Sequence, residues 1–195
     1  MSAIQAELAN TFQRQAIAAE PVGSVTPGNL SPDQRATEFG RSIVFGDSIR
    51  PLTGRLHEAR GERIGAVVLC SPWGYEECCA FTTFQSLARQ LSQNGIEALR
   101  FDYEGCGNSA GDYRTPELLD RWVASCTRAV EFMSARTGHP VAVIGLRMGA
   151  TLAVLASSAL PLASAILWDP VVNGRRYLRS VRAMSMMGVE AGSDP

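Results

Sequence analysis

Two glycines four residues apart, Gly145 and Gly149, bracket Arg147 at the end of the apolar run Val141-Ala142-Val143-Ile144. The helix formers Ala150-Thr151-Leu152-Ala153-Val154-Leu155-Ala156 follow. Strand, tight turn and helix in that order have the shape of a nucleophile elbow. Small residues are needed two before and two after the apex, because the incoming strand and outgoing helix pass very close there. Gly145 and Gly149 meet that need. The apex itself should be Ser, Cys or Asp, and here it is Arg147: the scaffold for a nucleophile is present and the nucleophile is not. A guanidinium at a helix start, among free backbone N–H groups, suits a carboxylate or phosphate. Two placements follow: Arg147 forms the floor of an anion site, or it folds outward to pair with an acidic neighbour such as Asp102 or Glu104.

Other groups could attack in its place. Cys78 and Cys79 fall near a helix start, where the macrodipole lowers a thiol's pKa, although Glu76 and Glu77 push the other way. Cys106 sits in a Gly-rich loop at the carboxyl end of a strand, the functional edge of an open sheet. Cys79 and Cys106 are therefore the alternative nucleophiles. Ser71 and Ser109 lack an evident base and suit turn hydrogen bonding. A serine hydrolase also needs a base and an orienting acid. The two histidines are His57, in an early strand, and His139, in the turn before the Val141 strand, and both read as structural or solvated. Asp169 ends the last strand and could be an acid by position.

Several chemistries are excluded. All eighteen basic residues are Arg, so Schiff-base chemistry, a P-loop lysine and a Tyr-x-x-x-Lys dehydrogenase pair are absent. Gly105-x-Gly107-x-x-x-Gly111 follows a strand, but its helix opens only after Thr115-Pro116, too late for a pyrophosphate on the helix N-terminus. No cofactor is expected. The five cysteines are odd in number, scattered and without C-x-x-C, which suggests neither a disulfide framework nor a metal site. The net charge of −1 gives no pull toward nucleic acid, and no stretch approaches the ~18 apolar residues of a membrane span. With no signal peptide and reduced thiols, a cytoplasmic location is expected.

The elements that must position these residues follow from periodicity. A length of 195 residues suits one domain. Residues 1–35 read as a tail and a Pro/Gly/Ser-rich linker (Pro21 to Asp33), with a weak helix possible over 1–19, and regular structure starts near Ala36. Ser42–Phe45 and Leu52–Glu58 look like two strands, and Ile64–Leu69 like a strand covered on both faces. A helix runs over about Glu77 to Gln93, with Cys79, Phe81, Phe84, Leu87, Ala88 and Leu91 inward. Ile96–Tyr103 is a strand. Thr115-Pro116 starts a long helix that buries Leu119, Trp122, Val123, Cys126, Ala129, Val130 and Met133. Leu162–Val172 is the last strand, followed by a short helix with Arg175, Arg179 and Arg182 on one face and Arg176 beside them. From residue 64 the order is β-α-β-α-β-α-β, a parallel sheet with helices on both faces.

Three stretches together resemble the α/β-hydrolase superfamily. Ser71-Pro72-Trp73-Gly74 resembles the oxyanion loop, Phe101 to Gly111 (FDYEGCGNSAG) resembles the F-D-x-x-G-x-G-x-S-x-G signature, and Gly145 to Gly149 resembles the elbow. The match spans about residues 40 to 185. Within the superfamily, Gly145-Leu146-Arg147-Met148-Gly149-Ala150 and Leu167 to Gly174 are similar to the Arg-apex proteins encoded with exosortase and exopolysaccharide gene clusters. The resemblance implies a three-layer α/β sandwich with a mostly parallel sheet, over 36–195, lacking its last strands. It also places the oxyanion region at Trp73, Gly74 and Met148. The implied activity is ester, thioester or amide hydrolysis; the alternative is an inactive homologue that binds an acyl or anionic small molecule. A sheet edge left uncovered would favour a homo-oligomer.

Overall fold

The computed structural model describes residues 31–158 and 160–190; the expected tail over 1–19 and most of the linker lie outside them. The first element, helix α1 (Pro32–Phe39), corrects the expected start at Ala36. Ser31 caps it, accepting from the Gln34 amide while the Gln34 side chain accepts from the Ser31 amide, and Pro32 sits where a missing N–H costs nothing.

Six strands follow: β1 (Arg41–Phe45), β2 (Leu52–His57), β3 (Gly65–Cys70), β4 (Ile96–Phe101), β5 (Val141–Leu146) and β6 (Ser164–Trp168). Their spatial order is β1-β2-β4-β3-β5-β6. The pairs β1–β2 and β2–β4 are antiparallel, and β4–β3, β3–β5 and β5–β6 are parallel. The crossovers are α2 (Tyr75–Gln93), α3 (Leu118–Thr137) and α4 (Met148–Ser157), and α5 (Gly174–Glu190) follows β6.

Period-two alternation divides the strands between two cores. Val68, Cys70, Leu99, Phe101, Val141 and Val143 face α3 and α4. Val67, Leu69, Ala98, Ala142 and Ile144 face α2. Burial on both sides explains the unbroken apolar runs in β3 and β5. This is the three-layer α/β sandwich expected. Leu167 and Trp168 on β6 are exposed.

Helix faces are narrower than the apolar pattern suggests. On α2, Ala80, Phe84, Ala88, Leu91 and Ser92 are buried, while Cys79 and Phe81 are exposed. The i, i+4, i+8 row through Ala80 fixes the facing stripe and leaves Cys79 off it. Phe81 flanks the stripe and carries the Arg100 guanidinium over its ring, 5.3 Å from the centroid. On α3, Leu119 is exposed, because α3 starts only at Leu118 and Thr115-Pro116 belong to the preceding turn. The strands at residues 96 and 162 are likewise shorter than their apolar runs.

Candidate functional site

Chain geometry at the end of β5 is dictated by close packing. A side chain at Gly149 would land on the carbonyl oxygens of Cys70 and Ser71, and one at Gly145 would land on the backbone of Ala150. The chain therefore turns from β5 into α4 within one residue, and Arg147 carries that turn at φ 55°, ψ −118°. Left-handed φ in a long side chain is strained and persists only where surroundings enforce it. The Arg147 amide donates to Trp168 O at 2.9 Å, continuing the β5–β6 ladder up to the apex.

The Arg147 side chain is held on three sides. Nε donates to Glu76 Oε1 at 3.0 Å and Nη1 to Asp169 Oδ2 at 2.9 Å. The Tyr177 ring lies under the guanidinium, 5.6 Å from centroid to Cζ. Tyr177 is buried and its hydroxyl donates to Glu76 Oε2 at 3.0 Å. The Glu76 hydrogen bond, with the charges of Glu76 and Asp169, raises the Arg147 pKa against the opposing pull of burial. Burial first, then the bond to Glu76, holds the Tyr177 phenol well above its usual range. Asp169 is itself at positive φ, 46°, so two strained residues at the ends of neighbouring strands face each other through one ion pair. A cavity of about 390 Å³ opens beside them, lined by Arg147, Asp169, Val172, Arg176, Tyr177 and Ser180 among others.

The outward-pairing alternative is thus realised with different partners. Asp102 is bonded to Thr53 and Asn108. Glu104 is bonded to Arg50, Arg121 and Arg128. Sequence reasoning gave Glu76 no role at the apex and passed over Tyr177. The usable signal was the need of a half-buried guanidinium for a carboxylate, and Glu76 stands in the first turn of the helix after the Ser71-Pro72-Trp73-Gly74 loop.

Of the other candidates, Asp169 joins the apex, as an ion-pair partner of Arg147. Trp73 packs against Trp122 with centroids 5.6 Å apart, and Gly74 precedes α2 at φ 68°. Met148 opens α4 and packs half-buried against the α3/α4 core. Cys79 is exposed, and its thiol close to Tyr75 raises the Tyr75 phenol. Burial, then the charges of Glu77 and Asp102, push the Cys106 thiol up to about 11, which leaves it protonated and a poor nucleophile near neutrality. His57 is buried, and neither ring nitrogen has a hydrogen-bond partner. His139 lies in the turn before β5, at the amino end of the sheet. Of the arginines after β6, Arg175, Arg176 and Arg179 are exposed, with Arg176 alone of the three lining the cavity; the Arg182 side chain lies outside the described residues. Among the described residues no helix is long and apolar enough to cross a membrane.

A mixed sheet with a parallel centre, a strained strand-to-helix turn at the carboxyl edge of β5 and helices on both faces define an α/β hydrolase fold. Solved structures agree. A lidless α/β serine hydrolase from Xanthomonas campestris superposes with a TM-score of 0.55 at 18% identity, covering 73% of this chain and 62% of that one. An esterase from Pyrococcus furiosus gives 0.55 at 18% identity, with 77% and 56% covered. The chain belongs to the serine aminopeptidase S33 family, whose model matches residues 61–190. It is also 30% identical over 109 residues to a monoglyceride lipase homologue of Monkeypox virus, covering 54% of this chain and 40% of the viral protein. The chain thus spans well under two thirds of that relative's length.

Proposed function

We propose that this chain is an acyl-hydrolase homologue that binds an ester, thioester or amide ligand at the carboxyl edge of its sheet, where Arg147 braces the edge without attacking the ligand. One observation carries the reading: the side chain at the nucleophile position is a guanidinium bonded to Glu76 and Asp169. A guanidinium stays protonated in proteins and has no lone pair to offer a carbonyl carbon. Its charge is already opposed by two carboxylates, so one positive against two negative charges leaves the cluster acidic. That arrangement favours the acyl reading over an anion site on Arg147. The cavity beside the apex supports it, since Pro170, Val171 and Val172 give it apolar surface. The viral relative's name points to monoglycerides, and we extend that ester class to this chain. The Gly145 to Ala150 stretch supports a place among the Arg-apex proteins of exosortase and exopolysaccharide gene clusters, acting in the cytoplasm.

The test is incubation with a fluorophosphonate probe and a short acyl ester, beside calorimetric titration with a monoacylglycerol. The expected result is saturable binding with no labelling and turnover at least ~10⁴-fold below that of a serine hydrolase. Covalent labelling of any serine, with matched ester turnover, overturns the reading.

A further inference from the structure

A second cavity, of about 330 Å³, lies between α2 and the β1–β2–β4 end of the sheet and shares no lining residue with the cavity at the apex. Its sheet wall carries Arg55 from β2 and Arg100 from β4, with Asp102 just beyond the strand end. Its helix wall carries Glu77, Phe81 and Phe84. These helix positions are spaced i, i+4, i+7, so they share one face.

Charge is segregated along this cavity. Glu77 and Asp102 lie at the carboxyl edge of the sheet, and burial first, then the Asp102 charge, push the Glu77 carboxyl up. Asp102 is half satisfied: Oδ2 accepts from Thr53 Oγ1 at 3.1 Å and from the Asn108 amide at 3.0 Å. The Glu77 side chain has no hydrogen bond or ion pair among the described residues. Deeper in, Arg100 is only 8% exposed and forms no ion pair among the described residues, although the Asp102 charge reaches it and its guanidinium lies over the Phe81 ring. Its Nη2 donates to Phe39 O at 3.0 Å, and its buried Nε has no partner. Arg55 beside it is exposed and also unpaired among the described residues. A buried cation without an ion-pair contact is costly, and so is a half-buried carboxylate without a donor. The four charged groups line one cavity without forming an ion pair among themselves.

We propose that this cavity is a binding site for a small zwitterion with an apolar flank, of the amino-acid class. Its ammonium group sits between Glu77 and Asp102, its carboxylate on Arg55 and Arg100, and its side chain against Phe81 and Phe84. The step from Glu77 to Phe81 is one helical turn, about 6 Å along α2, a span that a single amino acid bridges. The ligand supplies both missing partners at once, which a simple anion or a simple amine does not.

Three probes on the intact chain test this by calorimetry: L-phenylalanine, phenethylamine and 3-phenylpropionate. Phenylalanine should saturate the site, and each half-charged analogue should bind at least about tenfold more weakly. Glu77→Gln should weaken phenylalanine and phenethylamine and leave phenylpropionate unchanged. Arg55→Ala, at an exposed position whose loss spares the core, should weaken phenylalanine and phenylpropionate and leave phenethylamine unchanged. Equal affinity for the three probes, an unselective response to both substitutions, or no saturable binding of phenylalanine overturns the assignment.

Discussion

At Glu104 one carboxylate, 2% exposed, collects the guanidinium groups of Arg50, Arg121 and Arg128; at Arg147 one guanidinium, 30% exposed, collects the carboxylates of Glu76 and Asp169. The first cluster ties three distant segments together: the turn before β2, the Gly-rich loop after β4, and α3. Backbone groups of Glu104 complete it: its amide donates to Ser125 Oγ at 3.2 Å, and its carbonyl accepts from Trp122 Nε1 at 3.0 Å. Burial pushes the Glu104 carboxyl up, but the hydrogen bonds from Arg121 and Arg128 outweigh it and leave the group below its ordinary value. The second cluster spans the carboxyl edge, where a reactive group would otherwise stand. Identical chemistry in opposite proportion thus does two jobs. Deep in the fold it fixes a loop; at the rim it holds two strained strand ends while solvent still reaches them.

The contrast breaks first at Glu104. Glu104→Gln keeps the shape but leaves three arginines facing a neutral amide. The loss should be about 3–5 kcal/mol, the scale for removing one partner of a buried pair, read as a fall in the urea midpoint with an unchanged slope.

Acid separates the buried groups from the rim next. His57 is neutral in the fold, its pKa lowered from 6.5 to about 4 by burial first and then by Arg100, Arg55 and Arg89. The unfolded chain therefore binds the proton first. Stability from this residue is full above pH 6.5 and is lost as pH falls toward 4, by on the order of 3 kcal/mol. A series of urea melts across this range should show that loss in the wild type and a smaller one in His57→Phe. Equal slopes in the two proteins would remove His57 from the account.

A third change probes the scaffold under the rim. Gly149→Ala forces α4 away from the carbonyl oxygens of Cys70 and Ser71 and should cost about 1–3 kcal/mol, the range for overpacking. Thermal melts with near-ultraviolet circular dichroism check this, since the shift also moves Trp168.

Legibility in the sequence follows from how local each signal is. The apolar runs of β3 and β5, the glycines at 145 and 149, and the parallel order from residue 64 are local patterns, and each stands in the structure where its pattern places it. The Ser31-Pro32-Asp33-Gln34 capping box is local too, but the Pro- and Gly-rich composition around it hides the helix. Inward assignments of Cys79, Phe81 and Leu119 fail because apolar character alone does not say how wide the facing stripe is. The partners of Arg147 lie 71 and 22 residues away, and such pairing follows from topology, not from spacing. Asp102 and Glu104 are the same residue types as the partners Arg147 takes, but both are already bound elsewhere.

The most direct measurement of the central claim, that Arg147 is a brace at the nucleophile position, is a double-mutant cycle between Arg147→Met and Glu76→Gln, followed by urea unfolding. Each single change should cost about 1 kcal/mol or less, as for a partly exposed pair. The double change should cost less than their sum, with a coupling of about 0.5–1 kcal/mol. Additive losses, with no coupling, would mean that the guanidinium and the Glu76 carboxylate do not hold each other, and would contradict the account.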